Sequence, residues 1–91
     1  FLDKIFSFHA DIDMEIGQIY LREGSRLTGQ TISSCELRKT HNVSILAIQR
    51  PNREVIITPS PAQELTAGST LIIIGPPETI YELETEYQRG E

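Results

Sequence analysis

The longest uninterrupted aliphatic run in the chain is Leu71-Ile72-Ile73-Ile74, closed at once by Gly75. It falls far short of the roughly 20 apolar residues that a helix needs to cross a bilayer, so nothing in the sequence reads as a membrane span. It does suit a strand, because β-branched side chains pack well on a pleated surface. Thr70 to Ile74 is therefore read as a strand, entered from a Leu65-Thr66-Ala67-Gly68-Ser69 turn. With 91 residues in all, the chain has room for one small core and for no second one. That excludes most self-contained enzymes and places any ligand site at the surface or between copies.

The other elements follow from local pattern. Ile16 to Leu21 is a strand candidate closed by Glu23-Gly24-Ser25. Thr28-Gly29-Gln30-Thr31 opens a short helix through Leu37, with Thr31 or Ser33 as cap and Ser33-x-x-Glu36 fitting a capping box. So short a helix is marginal alone and must be held by packing through Ile32 and Leu37. Val43 to Gln49 has Val43, Ile45 and Ala47 on one face and Leu46 and Ile48 on the other, as a central strand would. Arg50-Pro51-Asn52-Arg53 turns the chain into a returning strand, Glu54 to Thr58, ended by Pro59 and Pro61. Pro76-Pro77 sets up a final helix in which Ile80, Leu83 and Tyr87 recur at helical spacing while the glutamates face outward. The fold class is α+β: a small, mostly antiparallel β-sheet with a short helix after strand 1 and a C-terminal helix. Residues 1–14 read as a junction from an upstream domain and 15–91 as the folded unit. Phe1, Leu2, Ile5, Phe6 and Phe8 lie at mixed spacings, and the start at Phe1 suggests a piece of a longer chain.

Eight basic against thirteen acidic side chains give a net charge of −5, which repels a phosphate backbone. Nucleic acid polymer is accordingly not an expected partner. Five of the acids (Glu78, Glu82, Glu84, Glu86 and Glu91) lie in the last fourteen residues, so the rest of the chain can still hold a local basic pocket. The single cysteine, Cys35, forms no internal disulfide and fits a reducing compartment.

Motifs with chemical meaning are few. Gly24-x-x-x-x-Gly29-Gln30-Thr31 has the spacing of a phosphate-binding P-loop. Gln30 replaces the lysine that supplies its countercharge, and the two glycines are better explained as turn residues. Asp11-x-Asp13-x-Glu15 resembles the start of a calcium loop, but Ile16 and Arg22 stand where glycine and the bidentate glutamate are required. Cys35 and His41 lack a third orienting group, and a buried, inert thiol is the expectation for Cys35. With only His9 and His41 in the chain, no multi-histidine metal site and no catalytic apparatus is visible. Arg38-Lys39-Thr40-His41-Asn42 differs, because it gathers two permanent cations, a titratable ring and an amide between a helix and a central strand.

Several stretches together resemble the C-terminal domain of the regulator-of-potassium-conductance proteins, the TrkA-C domain. They are Ile19 to Ile32, Leu37-Arg38-Lys39 with Val43 to Arg50, and Pro59-Ser60-Pro61 with Leu65-x-x-Gly68-Ser69-x-Leu71-x-x-x-Gly75. Their order and spacing, over about residues 15–83, carry the resemblance. Ser69 departs from it, standing where the family usually has aspartate.

The resemblance implies a cytoplasmic ligand-sensing module, not an enzyme. It would be attached to or associated with the inner face of the membrane through a potassium channel, transporter or antiporter subunit. It also implies a homodimer that binds a small-molecule effector, in some members cyclic di-AMP, between the two copies. By that resemblance the ligand-binding positions are Ile32, Arg38, His41, Asn42 and Pro59, with no cofactor and no metal. A ligand-free assembly module, or a divalent-cation sensor using Asp11, Asp13 and Glu15, are the alternatives.

Overall fold

A computed structural model describes residues 13–88; Asp11, the leader residues and the extreme C terminus lie outside the described residues. The element order is β1 (Glu15–Tyr20), α1 (Ile32–Cys35), α2 (Leu37–His41), β2 (Ser44–Gln49), β3 (Val55–Ile57), β4 (Thr70–Gly75) and α3 (Pro77–Gln88). The four strands form one sheet in the order β1-β4-β2-β3, and every pairing is antiparallel. The α+β expectation holds, with the longest aliphatic run at the centre of the sheet.

Alternation along β4 sets the layers. Leu71 and Ile73 are fully buried and pair with Ile19 and Gly17 of β1. On the other flank they pair with Ile48 and Ile45 of β2, so these residues share one face. Against that face lie Ile80, Leu83 and Tyr87 of α3 and Leu37 of α2, with Leu27 and Leu65 from the connections. Burial of side chains of this size contributes roughly 1.5–3 kcal/mol each relative to exposure. The opposite face is apolar but uncovered among the described residues: Ala47 lies between Ile72 and Ile57, and Val55 and Ile57 are 53% and 72% exposed.

The expected alternation in β2 is corrected at one point. The register passes from Ile45 opposite Ile73 directly to Ala47 opposite Ile72, so Leu46 is the extra residue of a bulge. A bulge shifts parity, and Ala47 therefore leaves the face of Ile45 for the other side of the sheet.

The single helix expected through Leu37 is instead two short ones, broken at Glu36, whose backbone is left-handed (φ 58°). Thr31 is the N-cap: its side chain accepts from Ser34 N–H at 3.0 Å, and Ser34 Oγ accepts from Thr31 N–H at 2.9 Å. The capping box is thus Thr31 with Ser34, and Glu36, expected to complete a box with Ser33, terminates α1. Packing does hold this region, as Leu37 is buried and Ile32 lies against the core.

At the other flank, α3 sits directly on β1. A Cβ at Gly17 would lie 2.5 Å from Ile80 Cγ2 and 2.8 Å from Glu84 Oε2, so only glycine permits this approach. Glu84 Oε2 accepts the backbone N–H of Gln18 at 2.9 Å, and Arg26 pairs with Glu86 and donates to the Tyr87 hydroxyl at 3.1 Å.

Candidate functional site

The polar stretch singled out in the sequence follows α1, where the chain has to turn from helix into sheet. Asn42 closes α2 in the left-handed region (φ 58°), its N–H donating to Arg38 O at 3.1 Å. From there Val43 enters the core and Ser44 starts β2. Across from it, β3 leaves the sheet after Ile57: Thr58 N–H makes a last bond to Leu46 O at 2.8 Å, and the next backbone bonds go elsewhere. Pro61 O accepts Ser33 N–H at 2.9 Å and Gln63 O accepts Ile32 N–H at 3.0 Å, fastening the proline segment to the start of α1.

Between the departing segment and β2 lies a cavity of about 180 Å³, walled by Ile32, Arg38, Ser44, Ile45, Pro59 and Pro61 among others. A second cavity of about 380 Å³ adjoins it, lined by Ile32, Ser33, Glu36, Arg38, Lys39 and Pro61. Ile32, Arg38 and Pro61 line both. The second cavity alone falls within the roughly 300–1,000 Å³ typical of small-molecule sites.

The structure thus brings together three of the five expected positions, Ile32, Arg38 and Pro59, in one concavity. His41 and Asn42 line neither cavity; His41 Nδ1 lies 2.8 Å from Thr40 Oγ1. Pro61 and Glu36 are lining residues that the sequence reading did not assign. The signal for Pro61 was present, since a proline pair bounding a strand needs a place to go, but its side depends on the long-range bond to Ser33.

The chemistry on offer is recognition. Arg38 and Lys39 bring two positive charges to the second cavity against the carboxylate of Glu36, a net attraction for an anion. Arg38 carries a planar fork suited to bidentate contact with a phosphate, beside apolar walls from Ile32, Pro59 and Pro61. Cys35, expected to be buried, is half-buried, its thiol donating to Ile32 O at 3.2 Å. No group of three or more metal-ligating side chains occurs among the described residues; Asp13 and Glu15 are exposed. Gly24 and Gly29, the P-loop look-alike, adopt left-handed turns (φ 88° and 93°). No helix of the described residues is long and apolar enough to cross a membrane.

The molecule is thus a two-layer α+β domain with a cationic cleft at the helix-to-strand crossover. More narrowly, the chain belongs to the TrkA-C domain family, whose sequence model matches residues 16–87. It is 23% identical over 79 residues to the K(+)/H(+) antiporter subunit KhtT of Bacillus subtilis (strain 168), covering 87% of this chain and 48% of KhtT. It therefore spans about half the length of that relative. Among solved structures it is similar to the RCK C domain of the potassium transport protein KtrA in complex with cyclic diadenosine monophosphate. That match has 26% identity, covers 93% of this chain and 96% of the other, and has a TM-score of 0.69. It is also similar to the GsuK RCK domain, with 28% identity, 97% of this chain, 19% of the other and a TM-score of 0.70.

Proposed function

We propose that this chain is the regulatory, ligand-sensing domain of a potassium or related cation transport system, acting on a membrane-embedded channel, transporter or antiporter subunit from the cytoplasmic side. Two copies pair about a two-fold axis and hold cyclic di-AMP between them. The carrying observation is Arg38 at the junction of two cavities, flanked by Ile32 and Pro61 in both and by Pro59 in the smaller. The KtrA domain, similar over nearly its whole length, is a complex with that dinucleotide, which supports the choice of ligand.

A ligand with its own two-fold axis suits a two-fold dimer, because each half meets an identical surface. Arg38 of each copy pairs with one phosphate. Ile32 and Pro59 pack against an adenine, while His41 and Asn42, which line neither cavity, would reach the ligand only once the two copies have met. Regulation is linkage: ligand shifts the arrangement of the two copies by no more than its differential affinity for the alternatives.

Calorimetric titration with cyclic di-AMP tests this. Heat is expected from the wild type, with affinity at least about tenfold weaker in Arg38→Ala. Silence from the wild type overturns the ligand assignment. A dimer with no heat then favours the ligand-free assembly reading, for which the exposed Val55 and Ile57 beside the β3 edge are the motivating feature, and heat from a divalent ion alone favours the cation sensor.

A further inference from the structure

Four non-glycine residues of the described chain have left-handed backbone: Glu36, Asn42, Arg53 and Thr58. Arg53 belongs to the β2–β3 turn, where such geometry is ordinary. The other three surround the cleft. Glu36 lines the larger cavity, Asn42 precedes Val43, and Thr58 precedes Pro59, both of which line the smaller.

Thr58 is the most anomalous of them. At φ 46° a β-branched residue is a true outlier, since its branched Cβ crowds the backbone there. It also stands directly before a proline, where the chain favours an extended conformation. Two independent preferences therefore push residue 58 to continue the strand, and the structure overrides both. Strained backbone of this kind persists where the surroundings enforce it, and it gathers at functional sites.

What the distortion achieves is visible in the register. The β2–β3 ladder runs from Gln49 opposite Val55 to Ala47 opposite Ile57, and Thr58 N–H adds a last bond to Leu46 O. An extended Thr58 would carry the strand on along the flank of Ile45 and Ser44. The left-handed turn instead sends Pro59 and Pro61 across to α1, leaving Ser44 and Ile45 as the wall of the smaller cavity. Thr58 Oγ1 donates to Ile57 O at 2.7 Å, a local bond made at the bend.

We propose that Thr58 is a positioning residue of the cleft: its left-handed backbone turns β3 off the β2 edge one residue before Pro59 and so keeps the cavity over Ser44 and Ile45 open. Thr58 does not line the cavity; it acts through Pro59. This rests on the functional reading above for its ligand, though not for its geometry.

The experiment compares three forms of the chain. Thr58→Asn accepts left-handed backbone readily and keeps a short polar side chain. Thr58→Val has nearly the same volume, favours strand and lacks the hydroxyl. Two quantities are read: affinity for cyclic di-AMP by calorimetry, and the HN–Hα coupling of residue 58 with the hydrogen exchange of the Ser44 and Ile45 amides by NMR. The wild type and Thr58→Asn should both show the intermediate coupling and strong intraresidue HN–Hα NOE of left-handed backbone and bind within about threefold of each other. Thr58→Val should show the large coupling of extended backbone, slowed exchange at the β2 edge, and binding weaker by at least about tenfold. A large coupling at residue 58 in the wild type overturns the proposal, as does a Thr58→Val chain that binds like the wild type. If the wild type gives no heat with the dinucleotide, the ligand assignment fails. The coupling and exchange then decide the positioning role alone: an edge that closes in Thr58→Val upholds it, and one that stays open overturns it.

Discussion

The two flanks of the sheet solve opposite problems. On the β1 side a 12-residue helix lies on the strand with only a glycine between them, and Ile80, Leu83 and Tyr87 are buried. On the β2 side stand two helices of four and five residues, three left-handed non-glycine positions, and a cleft where packing would otherwise be. The first flank gathers stability, and the second uses some of it to hold a shape that propensity alone would not choose. A small domain can support a strained, open site only because its other half is closed.

The largest test of that contrast removes side chain from the closed flank. Leu83→Ala should lower unfolding free energy by about 2–5 kcal/mol, measured from urea midpoints at unchanged slope. Below the transition the affinity for cyclic di-AMP should stay the same. A large affinity change in folded protein would mean that the flanks are coupled and the contrast is wrong. Gly17→Ala is next, at about 1–3 kcal/mol, because the added methyl must displace Ile80 and Glu84. Thermal denaturation should show the loss, and an unchanged Tm would break the argument for a close approach at β1. The smallest effect belongs to the open flank: Thr31→Ala removes the α1 cap for about 1 kcal/mol. Since Ile32 follows directly, the affinity should weaken as well, by a few-fold, sharpening the distinction between a flank that only stabilises and one where stability and binding share residues.

The closed flank was the legible one. Ile80, Leu83 and Tyr87 announce a helix face by spacing, and Leu71 to Ile74 can hardly be anything but a strand, since both signals are local. A glycine inside a strand pattern marks close approach, but the residues that Gly17 meets, Ile80 and Glu84, lie far along the chain and only the fold identifies them. The open flank resisted for a physical reason. Neither glutamate nor threonine is a residue type that signals a left-handed backbone, and alternation in Val43 to Gln49 reads smoothly through Leu46 because a bulge changes pairing, not composition. The stretch from Arg38 to Asn42 gave only an electropositive spot. That Arg38 shares walls with Ile32 and Pro59 came from family resemblance, and Pro61 joined them through a hydrogen bond between residues 28 positions apart in sequence, Ser33 and Pro61.

The bond from Gln18 N–H to Glu84 bears on how large an assembly of this fold can grow. A carboxylate planted against the outer side of β1 hinders a further strand from adding there, whereas among the described residues no strand pairs with the outer side of β3, which carries the exposed Val55 and Ile57. A strand margin whose donor is already taken by a side-chain carboxylate has one hydrogen bond fewer to give an incoming chain, so Glu84 works against strand addition on that flank.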